Sequence, residues 1–212
     1  MRKDAPLHLL GPLGCRVQTG VGAILNVLKP TPASKLVIFG VGSVGLSAVM
    51  AAGLTPCETI IVVDGDPDRL KLAKELGATH AMEAGEHTEK HLLEMLGAGA
   101  DCVFDTTGVP EVIYLGLNIV APRGAFGYVT SPWDGSDMPF PVRRMLWGRR
   151  IVGIIQGSSQ PQTFIPALVN LILAGRLPIG RIARFYDFND ISLALKDREA
   201  GRTIKPILRF DT

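Results

Sequence analysis

The chain has 212 residues, enough for one sizeable domain or a domain plus a subdomain, and a chain this long buries roughly 70% of its unfolded surface. Its 22 basic and 20 acidic side chains leave a net charge of +2, and apart from Arg143, Arg144, Arg149 and Arg150 the cations are scattered, so no nucleic-acid footprint is present. No run of about 18 apolar residues is free of Gly, Pro or charge, which excludes a membrane-spanning helix.

The opening "MRKDAPLHLLGPLGC" has the basic start and cysteine of a lipoprotein leader, but Asp4, Pro6 and Pro12 interrupt it, and no signal peptide is expected. Cys15 lies between glycines, ahead of a helix-like segment. It shares no short motif spacing with Cys57 or Cys102, and the three cannot all pair. A reducing compartment, and so a cytoplasmic location, is expected. Cys102 falls inside an apolar strand pattern and reads as a small core residue.

From residue 35 strand and helix signals alternate. "KLVIFG" (35–40) reads as a buried parallel strand, and "SVGLSAVMAAGL" (43–54) as a helix of small residues. "TIIVVD" (59–64) is a second buried strand, followed by a helix over 67–78 with Pro67 at its start and Gly77 at its end. Strands are predicted at 79–82, 101–106, 124–130 and 150–157, and helices near 88–96 and 110–121. Six such strands predict an α/β fold, a Rossmann doubly wound parallel sheet covered on both faces. After residue 157 a helix (161–175), a strand (181–188), a helix (190–200) and "IKPILRF" (204–210) form an α+β extension, in which Pro206 restricts the last run to an edge strand.

"GVGSVG" places Gly40, Gly42 and Gly45 in G-x-G-x-x-G spacing between a predicted strand and a predicted helix. Gly40 permits the tight turn, Gly42 lets a pyrophosphate approach, and Gly45 lets helix and strand pack closely. The free N–H groups of the helix start then face the phosphates. Asp64 ends the second strand 19 residues after Gly45, the place of a carboxylate that accepts from the adenosine ribose hydroxyls. It would repel a 2′-phosphate, so NAD is expected over NADP. The plainer reading of Asp64 is a cap on the turn before Pro67.

These residues, with "GCRVQTG" before them and "AGRTIKPILRF" after, resemble the zinc-type medium-chain alcohol dehydrogenases. "DAPLHLLGPLGCRVQTGVGAILNVLKP" is most similar to the aryl (benzyl) alcohol dehydrogenase branch. The resemblance runs from about residue 4 to 210 and covers the C-terminal part of that family's subunit. It implies that residues 1–25 are a lead-in from an N-terminal catalytic domain this chain lacks, that 26–157 are the dinucleotide-binding domain, and that 158–212 complete the catalytic domain in the family.

The resemblance also implies site roles. Gly40, Gly42, Val44 and Gly45 match the pyrophosphate turn, and Asp64 and Arg69 the ribose contacts. Thr19, Thr106 and Val129 fall where the family lines the nicotinamide. Lys205 falls where a cation commonly meets the pyrophosphate, or is an ordinary surface lysine. Cys15 falls on the third ligand of the catalytic zinc, which needs three protein ligands and an open position.

The other family ligands, a cysteine and the histidine of a Gly-His-Glu motif, have no counterpart in the sequence. His8 is near Cys15 but in an extended stretch, and His80 reads as structural. His87 and His91, spaced i, i+4 in "EHTEKH", fit a solvated helix face better than a metal pair. Arg16 stands where the family commonly has glycine, and a guanidinium beside Zn²⁺ would be repelled unless it points away.

Three functions follow as expectations. The first is NAD-dependent oxidation of an alcohol, by resemblance aromatic, or reduction of its aldehyde, in a truncated form. The second is an NAD(H)-binding module without redox chemistry. The third is a recruited zinc-free reaction. The resemblance further implies a homodimer, paired through a strand near Ser136 to Val142.

Overall fold

The computed structural model describes residues 3–132, 135 and 137–210. Its centre is a six-stranded parallel sheet of β1 (Lys35–Phe39), β2 (Thr59–Asp64), β3 (His80–Glu83), β4 (Ala100–Asp105), β5 (Val120–Tyr128) and β6 (Arg150–Gly153), in the order β3-β2-β1-β4-β5-β6. The expected doubly wound α/β fold is therefore what the chain forms. Registers Phe39↔Val63, Phe39↔Asp105, Asp105↔Tyr128 and Tyr128↔Gly153 bring the carboxyl ends of five strands to one edge.

Strand alternation divides the core into two layers. Leu36, Ile38, Ile60, Val62, Cys102 and Phe104 face one side; Val37, Phe39, Ile61, Val63 and Val103 face the other. The first layer meets α2 (Arg16–Gly22), α3 (Ser43–Ala52), α4 (Pro67–Glu75) and α8 (Pro161–Leu173), with α1 (Leu7–Leu10) ahead of them in the chain. The second meets α5 (Thr88–Leu96) and α6 (Pro110–Ile119). Leu13, Val17, Leu168, Leu177 and Ile182 share the first core, so the lead-in and the extension are packed into the same layer as the sheet.

Most elements keep the expected places, with a few differences. β5 begins at Val120, directly out of α6, and its pairing with β4 shifts register between Ala100 and Cys102. β6 stops at Gly153, and the predicted strand's end becomes a tight turn in which Gln156, Gly157 and Ser158 all have positive φ. His8 lies in the single turn α1 rather than an extended stretch, its ring 5.7 Å from that of Phe185.

The 137–142 stretch carries no strand: residues 137–141 are irregular and Val142 opens α7 (Val142–Met145). Pro139 and Pro141 lack the N–H a ladder needs. Ser136 lies outside the described residues.

Local chemistry sets the helix limits. Asp66 caps α4 by accepting from the N–H groups of Asp68 and Arg69 at 3.0 and 3.1 Å, and Pro67 opens the helix. α3 is buried on nearly every side, between the sheet and α2, which explains its small apolar residues all round. α2 approaches closely because Gly20 has no side chain; a Cβ there would sit 2.2 Å from the Val44 carbonyl oxygen.

The extension ends in a two-stranded parallel sheet, β7 (Ala183–Asp187) with β8 (Lys205–Arg209), backed by α9 (Ile191–Glu199). β8 pairs only with β7, as Pro206 requires. Among the described residues no helix is long and apolar enough to cross a membrane.

Candidate functional site

The sheet order reverses between β1 and β4, and in open α/β sheets ligands enter the crevice beyond the carboxyl ends at such a point. The chain leaves β1 at Gly40, whose φ of +81° only glycine adopts freely. A Cβ there would meet Thr106 Oγ1 at 2.6 Å. The Thr106 hydroxyl donates to the carbonyls of Phe39 and Gly40 at 2.9 and 3.0 Å, tying the end of β4 to the turn.

Gly42 precedes α3 and has no atom within 4 Å of the position a Cβ would take. The face of the turn at Gly42 is thus open where its neighbours are closed. α3 then presents its N-terminal N–H groups beside that open face.

Asp64 is fixed to the same turn. Its Oδ2 accepts from Val41 N–H at 2.6 Å and its Oδ1 from Asp66 N–H at 2.9 Å. Arg69, half-buried on α4, holds Nε 3.2 Å from Asp66 Oδ2 without hydrogen-bonding alignment. Thr19 is buried on α2, and Val129 follows β5 at the same sheet edge.

A cationic group borders the turn. Arg16 Nη1 lies 3.4 Å from Ser43 Oγ at the first residue of α3. Lys205, half-buried on β8, is held below the usual lysine range by burial first and then by the nearby charges of Arg16 and Arg198. Cys15 lies near enough to act on Lys205 in the opposite sense.

Cys15 is exposed, and no three His, Cys, Asp or Glu side chains converge among the described residues. His80 Nδ1 and Thr79 Oγ1 share a hydrogen bond at 2.9 Å, and the exposed rings of His87, at the N-cap of α5, and His91, on α5, lie 6.2 Å apart. Cys102 is buried, and burial pushes its thiol up to about 12.

Two features of the site have no forerunner in the sequence reading. Asp105, fully buried, accepts from Thr107 N–H, Thr107 Oγ1 and Gly108 N–H at 3.1, 2.7 and 3.0 Å, shaping the loop after β4. Its place before a Thr-Thr-Gly turn is the signal that marks such a carboxylate. Gln18, also buried, donates to Gln156 Oε1 at 2.9 Å, and Asn26 donates to the Gly157 carbonyl at 3.0 Å, fastening the left-handed turn after β6 onto α2. Contacts 138 and 131 residues apart leave no local trace in a sequence.

The family described as zinc-binding dehydrogenase matches residues 43–174. Geraniol dehydrogenase of Castellaniella defragrans is 39% identical over 98% of this chain and 56% of its own length. The crystal structure of an alcohol dehydrogenase zinc-binding domain protein from Burkholderia ambifaria superposes with a TM-score of 0.95 at 46% identity, over 100% of this chain and 58% of that one. That of benzyl alcohol dehydrogenase from Acinetobacter calcoaceticus gives 0.95 at 40%, over 100% and 59%. The chain thus spans a little over half the length of the relatives it matches.

Proposed function

The chain belongs to the zinc-binding dehydrogenase family, and from that premise we propose that the crevice at the β1/β4 switch point binds NAD(H) for hydride transfer to or from an alcohol carbon. The observation that carries this reading is the joining of Asp64 to the glycine turn through Val41 N–H at 2.6 Å. It makes the ribose carboxylate and the pyrophosphate turn one rigid unit. Gly42 leaves the diphosphate room, Gly40 and Gly45 hold the turn's shape, and the start of α3 from Ser43 and Val44 offers N–H donors. Asp64, with Arg69 beside it, would take the adenosine ribose; Lys205 would meet the diphosphate; Thr19, Thr106 and Val129 would border the nicotinamide. When bound, the cofactor supplies the hydride acceptor.

The relatives named for geraniol and benzyl alcohol support a small apolar or aromatic alcohol, or its aldehyde, as the substrate class. The donor set does not fit zinc within the described residues, since no three His, Cys, Asp or Glu side chains converge there. No step of the reaction is therefore assigned to a metal. A second reading is an NAD(H)-binding module without redox chemistry of its own. A cytoplasmic homodimer through the sheet edge near residues 137–142 fits the exposure of Phe140 and Val142 there.

The test is NADH and NADPH titration of the wild-type chain and Asp64→Gly. Weaker NADH binding and relaxed discrimination against NADPH are expected in the variant, and equal NADH affinity in both proteins would sink the ribose assignment. Alcohol-dependent formation of NADH by the same preparation separates the two readings, and zinc content measured alongside Cys15→Ser tells whether that cysteine holds a metal.

A further inference from the structure

We propose that Arg16 is a second cationic contact for the dinucleotide diphosphate, acting from the α2 side of the glycine turn while Lys205 acts from β8. This rests on the NAD(H) reading above.

The position follows from helix packing. α2 and α3 start side by side because Gly20 lets the two backbones close up against Val44. The first residue of α2 therefore reaches the first residue of α3, and Arg16 Nη1 comes to 3.4 Å from Ser43 Oγ. That hydroxyl is almost fully buried and lies next to Gly42, whose face is open. Arg16 as a whole is half-buried.

Charge supplies the second, independent observation. Arg16 and Arg198 each lie near enough to Lys205 to repel its charge, and no carboxylate lies within ion-pairing distance of Arg16 or Lys205 among the described residues. Partly buried like charges with no carboxylate to pair with are unfavourable. A diphosphate at the start of α3 would relieve that repulsion, and Arg16 offers it planar, paired donors that a lysine lacks. Glycine at this position supplies no such group. The site described here is thus more strongly cationic on its α2 side than the glycine turn alone would make it.

The experiment is calorimetric titration of wild-type, Arg16→Ala and Arg16→Lys chains with NADH, ADP-ribose and adenosine, with thermal melting as the check on folding. Arg16→Ala is expected to bind NADH and ADP-ribose about tenfold more weakly, with adenosine unchanged, and Arg16→Lys to recover part of the loss. The difference should shrink as salt is raised. Equal or tighter ADP-ribose binding by Arg16→Ala overturns the assignment, the second because Arg16 would then be covering the turn. Equal losses for adenosine and ADP-ribose also overturn it, by making the effect one of general structure. A wild-type chain that binds none of the three sinks the cofactor reading and this inference together, whereas wild-type binding that the variants leave unchanged sinks only the role of Arg16.

Discussion

A Cβ on Gly45 would lie 1.9 Å from the carbonyl oxygen of Gly40, so β1 and the first turn of α3 can meet only through a glycine. The contact is to backbone, which has no rotamer to give. Gly45→Ala is expected to lower stability by about 1–3 kcal/mol and to weaken NADH binding by shifting the turn. Gly42→Ala, which meets no protein atom, should melt within about 0.5 kcal/mol of wild type and yet lose NADH affinity. Denaturant unfolding and NADH titration of the two variants check this; equal stability losses would mean that the open face at Gly42 is misassigned.

Asp197 stabilises the extension in a pH-dependent way. Its carboxylate accepts from Arg202 Nε and Tyr186 Oη, each at 2.8 Å, and has Arg184 Nη1 at 3.4 Å. The Arg202 bond first, then that from Tyr186, holds its carboxyl below the ordinary value of 3.8. A depressed carboxyl contributes stability above the ordinary value and loses it as pH falls through the folded one. Asp197→Asn should therefore melt lower than wild type at neutral pH, with the gap closing below about pH 4. A gap that persists at acid pH would show that charge is not what Asp197 provides.

Asp105 has the opposite sign. Burial raises its carboxyl above 3.8 despite the bonds from Thr107 and Gly108. The folded chain holds that proton more tightly than the unfolded one, so this group's contribution improves as pH falls from the raised value toward the ordinary one. Asp105→Asn turns an amide nitrogen toward the Thr107 or Gly108 N–H and should cost about 1–3 kcal/mol. Melting across pH should show the deficit widening from neutral toward about pH 4; a deficit that narrows would reverse the assignment.

Thiol chemistry separates the three cysteines. Cys15 is exposed, whereas Cys57 and Cys102 are buried and burial raises both thiols. Iodoacetamide should label Cys15 alone in the native chain and all three after unfolding, read by peptide mass. Native labelling of Cys102 would mean that the layer between β4 and α2 opens readily.

The strands and the cofactor turn were legible because their signals are local. β2 matches its predicted bounds, and Gly40, Gly42, Gly45 and Asp64 carry the turn within 25 consecutive residues. The end of β6 misled, since "RIVGIIQG" has strand composition throughout, while three left-handed residues turn the chain at Gln156. That turn is fixed by Gln18 and Asn26, far away in the chain. Pro139 and Pro141 likewise decide that the 137–142 stretch forms no ladder by itself.

By itself the sequence determined the alternation of strands and helices, the two-layer core and the glycine turn with its carboxylate, because each rests on periodicity or on spacing over a few residues. Only the tertiary structure decided what surrounds that turn. It joined Asp64 to Val41, put Thr106 on the Gly40 carbonyl, brought Arg16 to Ser43 beside Lys205, and gathered no three metal donors among the described residues. Those pairings depend on which helices pack together and how closely. A missing side chain at Gly20 sets that distance between α2 and α3, and no local pattern records it.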